Sequence, residues 1–271
     1  VMAWISTSTV VICLAFTHYF EASMNIDLAV IGGTGVYQLS GVNWLESRTV
    51  QTRYGSPSDA IRIAEIDGRH IAFLARHGQG HALPPHKVNY RANLKALADL
   101  GVNTVLAINT VGGITSAFGP RVLAVPDQII DYTWGRISTL CEESGSDVLH
   151  VDFTEPYTES LRIKLINACA EEGVRIVASG CYAATQGPRL ESKAEINRLR
   201  QDGCDLVGMT GMPEAGLARE MGLRYASLCV VANWAAGCDP DNHEITMAEV
   251  LANVDSVRDC LVPIIKKLIN C

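Results

Sequence analysis

The side chains able to do chemistry are spread along the whole sequence, and most of them follow an apolar run of strand length. Arg76 and His77 come directly after the apolar residues 71–75. An Arg offers a planar fork of donors that fits an oxyanion, and a His beside it can donate as well; the alternative is a solvated charge at a strand end. Thr34 lies in Gly32-Gly33-Thr34-Gly35 and Thr110 in Asn109-Thr110-Val111-Gly112-Gly113. Glycines let backbone N–H groups approach an anion, and the threonines add hydroxyls. The first segment reads equally as a phosphate cradle or a tight turn. It is not followed by the Gly-Lys-Ser/Thr of a P-loop, and Gln38 stands where a dinucleotide fingerprint expects its third glycine. Thr210 supplies another hydroxyl after a further strand. Two or three hydroxyls with one Arg and one His suit a dianionic phosphate or phosphoester.

A second group has different chemistry. Asn233 sits in Ala232-Asn233-Trp234-Ala235-Ala236-Gly237, after the apolar residues 225–231. A polar side chain at the end of a buried strand is costly unless paired. Its amide both donates and accepts, which suits an edge bearing a carbonyl and a ring nitrogen; a turn-forming Asn is the plainer alternative. Glu191, in Gly187-Pro188-Arg189-Leu190-Glu191, is either a ligand-facing acid or a helix-start carboxylate favoured by the helix dipole.

These residues need elements to hold them. Strands are expected at 28–31, 61–65 and 70–75, the last two joined by an Asp67-Gly68 turn, and at 104–108, 122–125, 174–185, 205–210 and 225–231. Helices are expected at 88–100, closed by Gly101, at 156–172, at 191–201, from about 213 to 221, and at 247–269 with a bend near Pro263. Residues 135–157 read as a long functional loop. Strands that alternate with helices, with polar residues gathered after the strands, predict a single α/β domain built on a central sheet flanked by helices, its site beyond the strand ends.

Composition sets limits. The chain has 271 residues, 48% hydrophobic content and a net charge of −7, with only short Lys/Arg pairs, so no nucleic-acid or membrane-surface partner is expected. Nine cysteines without a C-x-x-C pair, several in apolar runs, read as reduced thiols of a cytoplasmic protein and not as a zinc site. Residues 1–23 have no basic start and no clean cleavage site, and six Ser/Thr and a His dilute them as a membrane span. They are expected to be a non-native or disordered extension, with the domain occupying 24–271 and Met24 as the functional start.

Gly32-Gly33-Thr34-Gly35, Ala75-Arg76-His77-Gly78, Val88-Asn89-Tyr90-Arg91-Ala92-Asn93, Gly187-Pro188-Arg189 and Val207-Gly208-Met209-Thr210-Gly211-Met212-Pro213-Glu214 together resemble the trimeric purine nucleoside phosphorylases, with the methylthioadenosine phosphorylase branch nearby. The resemblance covers about 25–268. It implies a nucleoside phosphorylase fold, a homotrimer, inorganic phosphate as co-substrate, and no metal or organic cofactor. Phosphate attacks the anomeric carbon of a nucleoside and a purine leaves. By motif, Thr34, Arg76, His77, Thr110 and Thr210 would bind phosphate, and Met209 would lie against the ribose. Leu190, Glu191, Asn233, Trp234 and Ala235 would surround the nucleoside, with Asn233 and His77 catalytic.

The resemblance also carries specificity. Methylthioadenosine phosphorylases have Asp where Asn233 and Ala235 stand and Ser where Glu191 stands. An Asn can donate to a 6-carbonyl, and a Glu can accept from the N1–H of hypoxanthine or guanine, so both positions favour a 6-oxopurine. Where 6-oxopurine phosphorylases meet the 5′-hydroxyl with a His, this chain has Met247, an apolar partner suited to a methylthio group. The combination is similar to bacterial methylthioinosine phosphorylases. An inosine/guanosine phosphorylase and a methylthioadenosine phosphorylase are the alternatives. His150 or Phe153 is the weaker candidate for a residue that reaches a neighbouring subunit. A nicotinamide-dependent oxidoreductase is disfavoured by the incomplete glycine fingerprint.

Overall fold

A computed structural model describes residues 25–33, 37–142 and 147–270. Thr34 and the 1–23 extension lie outside the described residues.

Eleven strands form one mixed sheet: β1 (Ile26–Gly32), β2 (Asn43–Arg48), β3 (Ile61–Ile66), β4 (Arg69–Ala75), β5 (Thr104–Gly113), β6 (Leu123–Ala124), β7 (Gln128–Asp131), β8 (Ile176–Val177), β9 (Cys181–Ala184), β10 (Leu206–Gly208) and β11 (Arg224–Trp234). Among the described residues six α-helices accompany them: α1 (Tyr90–Asp99), α2 (Glu159–Glu171), α3 (Lys193–Gln201), α4 (Gly211–Glu220), α5 (Met247–Ser256) and α6 (Arg258–Asn270). One principal path runs β2-β3-β4-β1-β5-β10-β9-β7, and β11 pairs with β5 and β6. Apolar residues on one sheet face pack with α2 and α6, and those on the other with α1 and α4. A sheet covered on both faces explains why its central strands read as continuous apolar runs.

β5 organises the site. Along its whole length it pairs in parallel with β11. On its other edge it pairs in parallel with β1 through Val105–Ala107 and then antiparallel with β10 at Gly112 and Gly113. Between those two partners one edge of β5 is open, and Thr110 is the single exposed position of the strand.

Several expected boundaries move. Asn109–Gly113 is strand, not loop, because β11 keeps pairing with it. The expected strand 174–185 divides at Gly180, whose φ of 145° breaks the ladder between β8 and β9. Glu191 precedes α3, which Ser192 caps in a reciprocal capping box with Glu195. The terminal helix breaks at Val257, not at Pro263, which lies inside α6. β2 was not expected; its largely exposed residues carry no apolar alternation to announce it. The seven described cysteines are all unpaired.

Candidate active site

The anion-binding candidates converge on the open edge of β5. Arg76 follows β4 and is 1% exposed. Its Nε and Nη2 donate to Glu214 Oε2 and Oε1 at 2.7 and 2.8 Å. Nη1 donates to Ile108 O at 3.1 Å and Nη2 to Ile31 O at 3.3 Å. The guanidinium therefore ties the end of β1 to β5 two residues before Thr110. Four of its five N–H groups are committed, leaving one on Nη1 for an anion. Tyr225 Oη donates to Glu214 Oε1 at 2.9 Å, so both partners of this fully buried ion pair are bonded further. Burial alone would lower the Arg76 pKa, but the charge and bonds of Glu214 more than offset it and raise it.

His77 is 7% exposed, and its Nδ1 lies 2.8 Å from Leu83 O. A carbonyl only accepts, so Nδ1 carries the hydrogen and a neutral ring keeps Nε2 as an acceptor. Burial pushes its pKa down to about 4, with the Leu83 bond opposing and the Arg76 charge assisting. The His81 ring stacks on it at 4.1 Å. Thr210 stands between β10 and α4. Its Oγ1 accepts from Asn109 Nδ2 at 2.8 Å, and Asn109 Oδ1 accepts from Ser227 Oγ at 2.8 Å. Asn109 thus occupies one of the two lone pairs of the Thr210 hydroxyl.

The second group of candidates surrounds a cavity of about 400 Å³, a size ordinary for a small-molecule site. Asn233, Trp234 and Ala235 line it from the end of β11, Leu190 and Glu191 from the segment before α3, and His243, Glu244, Ile245 and Glu249 from the approach to α5 and its first turn. A β-bulge between Val231 and Asn233 shifts the pairing with β5 and turns Asn233 into this cavity. Asn233 Nδ2 donates to Trp234 O at 2.7 Å, and a methyl group placed on Gly112 would stand 3.4 Å from it. Glu191 Oε1 accepts from Thr185 Oγ1 at 2.6 Å. Met209 packs its sulfur against Gly187, whose φ of 62° and lack of a side chain make that approach possible.

Glu191 also borders a second cavity of about 320 Å³ with Tyr132, Trp134 and Gly187. Asp239, Asp241 and His243 present ligand atoms within 4.8 Å of one another, but Asp239 already accepts from the His243 ring and from both partners' backbone N–H groups.

Not every candidate joins these two clusters. Met247 is 65% exposed at the start of α5 and does not line the cavity, whereas Ile245 does. His150 is exposed, and Phe153 packs against the chain's own core. Sequence reading missed Glu214 and Asn109 as the partners of Arg76 and Thr210. Asn253 was also missed; its Nδ2 bonds Ala232 O at 2.8 Å and fixes α5 to β11 just before Asn233. An Arg and a carboxylate in separate motifs were the available signal for the buried pair, but nothing local coupled them.

Residues 27–270 match the family model described as the phosphorylase superfamily. A Xanthomonas campestris pv. campestris protein named probable S-methyl-5′-thioinosine phosphorylase is 64% identical over 91% of this chain and 98% of its own length. A Thermococcus kodakarensis protein named probable 6-oxopurine nucleoside phosphorylase is 45% identical over 83% of this chain and 84% of its own. The crystal structure of methylthioadenosine phosphorylase from Schistosoma mansoni in complex with adenine superposes with a TM-score of 0.85 at 30% identity, covering 91% of each chain. This chain belongs to the phosphorylase superfamily.

Proposed function

We propose that the chain splits S-methyl-5′-thioinosine with inorganic phosphate, giving hypoxanthine and S-methyl-5-thioribose 1-phosphate, a step of purine salvage. The observation that carries the reading is that Asn233 and Glu191, brought in by different elements, line one cavity. An amide and a carboxylate together match a 6-carbonyl beside an N1–H, and a base that leaves them unpaired is rejected. Relatives at 64% and 62% identity carry the matching name.

Phosphate sits at the open edge of β5, held by the free N–H of Arg76, the hydroxyls of Thr110 and Thr210, and Thr34. Neutral His77 takes a hydrogen from a protonated phosphate oxygen at Nε2. Met209 bears on the ribose. As the glycosidic bond breaks, positive charge grows on the sugar above the phosphate and negative charge on the purine, where Asn233 donates. Leu190, Trp234 and Ala235 enclose the nucleoside. No metal and no organic cofactor takes part. The 5′-methylthio group meets a single apolar side chain, with Ile245, which lines the cavity, and Met247, which does not, as the two candidates.

The assembly we propose is a homotrimer in the cytoplasm. Trp134, Ile137, Val148 and Leu149 are exposed apolar side chains after β7, suited to cover by another copy. Among the described residues no helix is long and apolar enough to cross a membrane.

Steady-state phosphorolysis of methylthioinosine, inosine and methylthioadenosine tests the reading. Methylthioinosine is expected to give the highest kcat/KM; a higher value for inosine makes the chain a general 6-oxopurine phosphorylase instead.

A further inference from the structure

The loop after β7 places Arg136 between the two halves of the site, and its guanidinium has six acceptors. Nη1 lies 2.8 Å from Met209 O, 2.7 Å from Met212 O and 3.3 Å from Tyr90 Oη. Nη2 lies 2.8 Å from Gln186 O and 3.2 Å from Thr185 O, and Nε 3.1 Å from Gln186 Oε1. A guanidinium has five N–H groups, so this one is saturated and has none left for a substrate. Tyr90 Oη belongs to α1, and the other five acceptors belong to two segments that carry candidate site residues. Met209 and Met212 bracket Thr210, on the phosphate side. Thr185 holds Glu191 through its hydroxyl, on the base side. The two segments also meet where they leave β9 and β10, the Thr185 N–H and hydroxyl donating to Gly208 O at 2.8 and 3.3 Å; Arg136 ties them beyond that point.

Arg136 also differs from Arg76 in charge. Glu214 neutralises Arg76, whereas among the described residues no carboxylate is within ion-pair distance of Arg136. Its charge is felt at His77, where it helps hold the ring neutral.

We infer that Arg136 is a positioning residue that locks the phosphate-side segment 209–212 to the base-side segment 185–186, so that anion and purine are held at one fixed separation. The inference rests on the phosphorolysis reading for its kinetic consequence only. Misplacement of reacting groups by about an ångström can cost ~10²-fold in rate.

Arg136→Ala and Arg136→Lys test it. A lysine keeps the charge but presents one nitrogen, which cannot reach both segments. Both variants are expected to lose ~10²-fold in kcat and to raise KM for phosphate and for nucleoside together. Added guanidinium ion is expected to restore part of the rate of Arg136→Ala and none of Arg136→Lys. Amide hydrogen exchange on the substrate-free protein is expected to speed up in both 185–187 and 209–212, with β5 unchanged. Wild-type kcat and KM in both variants, or unaltered exchange in the two segments, overturns the inference. So does global unfolding of both variants, which would make Arg136 a general stabiliser. A wild type inert toward all three nucleosides defeats the proposed reaction alone, and the exchange experiment then decides on Arg136.

Discussion

The proposed phosphate end and the proposed base end of the site are built differently. At the phosphate end Arg76, His77 and Thr210 are 1%, 7% and 7% exposed; Arg76 and Thr210 are bonded to groups more than a hundred residues away, Glu214 and Asn109, and His77 to Leu83 in its own loop. At the base end Asn233 and Glu191 are only half-buried, Leu190 is 47% exposed, and each polar side chain has a single neighbour-range bond. The anion pocket is therefore made by folding itself. The base pocket sits on chain that folding leaves accessible, where substitution alters selectivity at little cost to the fold.

The sharpest way to break this contrast is Glu214→Gln. It strands a buried guanidinium charge, and removing one partner of such a pair costs about 3–5 kcal/mol. Chemical denaturation should show that loss together with a raised KM for phosphate; a stable variant with normal phosphate affinity would erase the distinction. Next comes the double variant Asn233→Asp with Glu191→Ser. Its preference for methylthioadenosine over methylthioinosine should rise by ~10²-fold or more while stability moves by no more than about 1 kcal/mol. Competition assays and thermal melts read both quantities.

Acid offers a third test. His77 has its pKa lowered from 6.5 to about 4 on folding. Between those values the unfolded chain binds a proton that the folded chain refuses, so stability should fall as pH drops from about 6.5 to about 4. His77→Gln should flatten that stretch of the stability curve, and an unchanged slope would assign it elsewhere. The smallest effect concerns the 5′ end. Ile245→His is expected to favour inosine over methylthioinosine several-fold, because Ile245 lines the cavity. Met247→His should leave both the ratio and the melting temperature near wild type. The reverse result would move the 5′ contact to the first turn of α5.

The same division governs what the sequence disclosed. The α/β class and the strands before Arg76, Thr110, Thr210 and Asn233 were legible, because buried strands are apolar runs and the polar residues that end them are conspicuous. Glu214 was not legible as the partner of Arg76, since 138 residues separate them and no periodicity records such a pairing. Arg136 lay in a stretch read as loop, and its partners are backbone carbonyls, which no side-chain pattern can announce. Thr110 was placed in a loop because glycines follow it, yet pairing with β11 overrides that local preference. The bend assigned to Pro263 came instead at Val257, and α6 continues through Pro263, which lies inside it.

The alternation along β5 ties the placing of its polar side chains to its register. Side chains on a strand switch faces at every residue, so sliding β5 by one place against β11 would turn Thr110 inward and push Asn109 toward the opening. A misregistered chain could stay compact and still be catalytically dead. For this molecule, recovered turnover after refolding is accordingly a stricter gauge of correct strand alignment than recovered secondary structure.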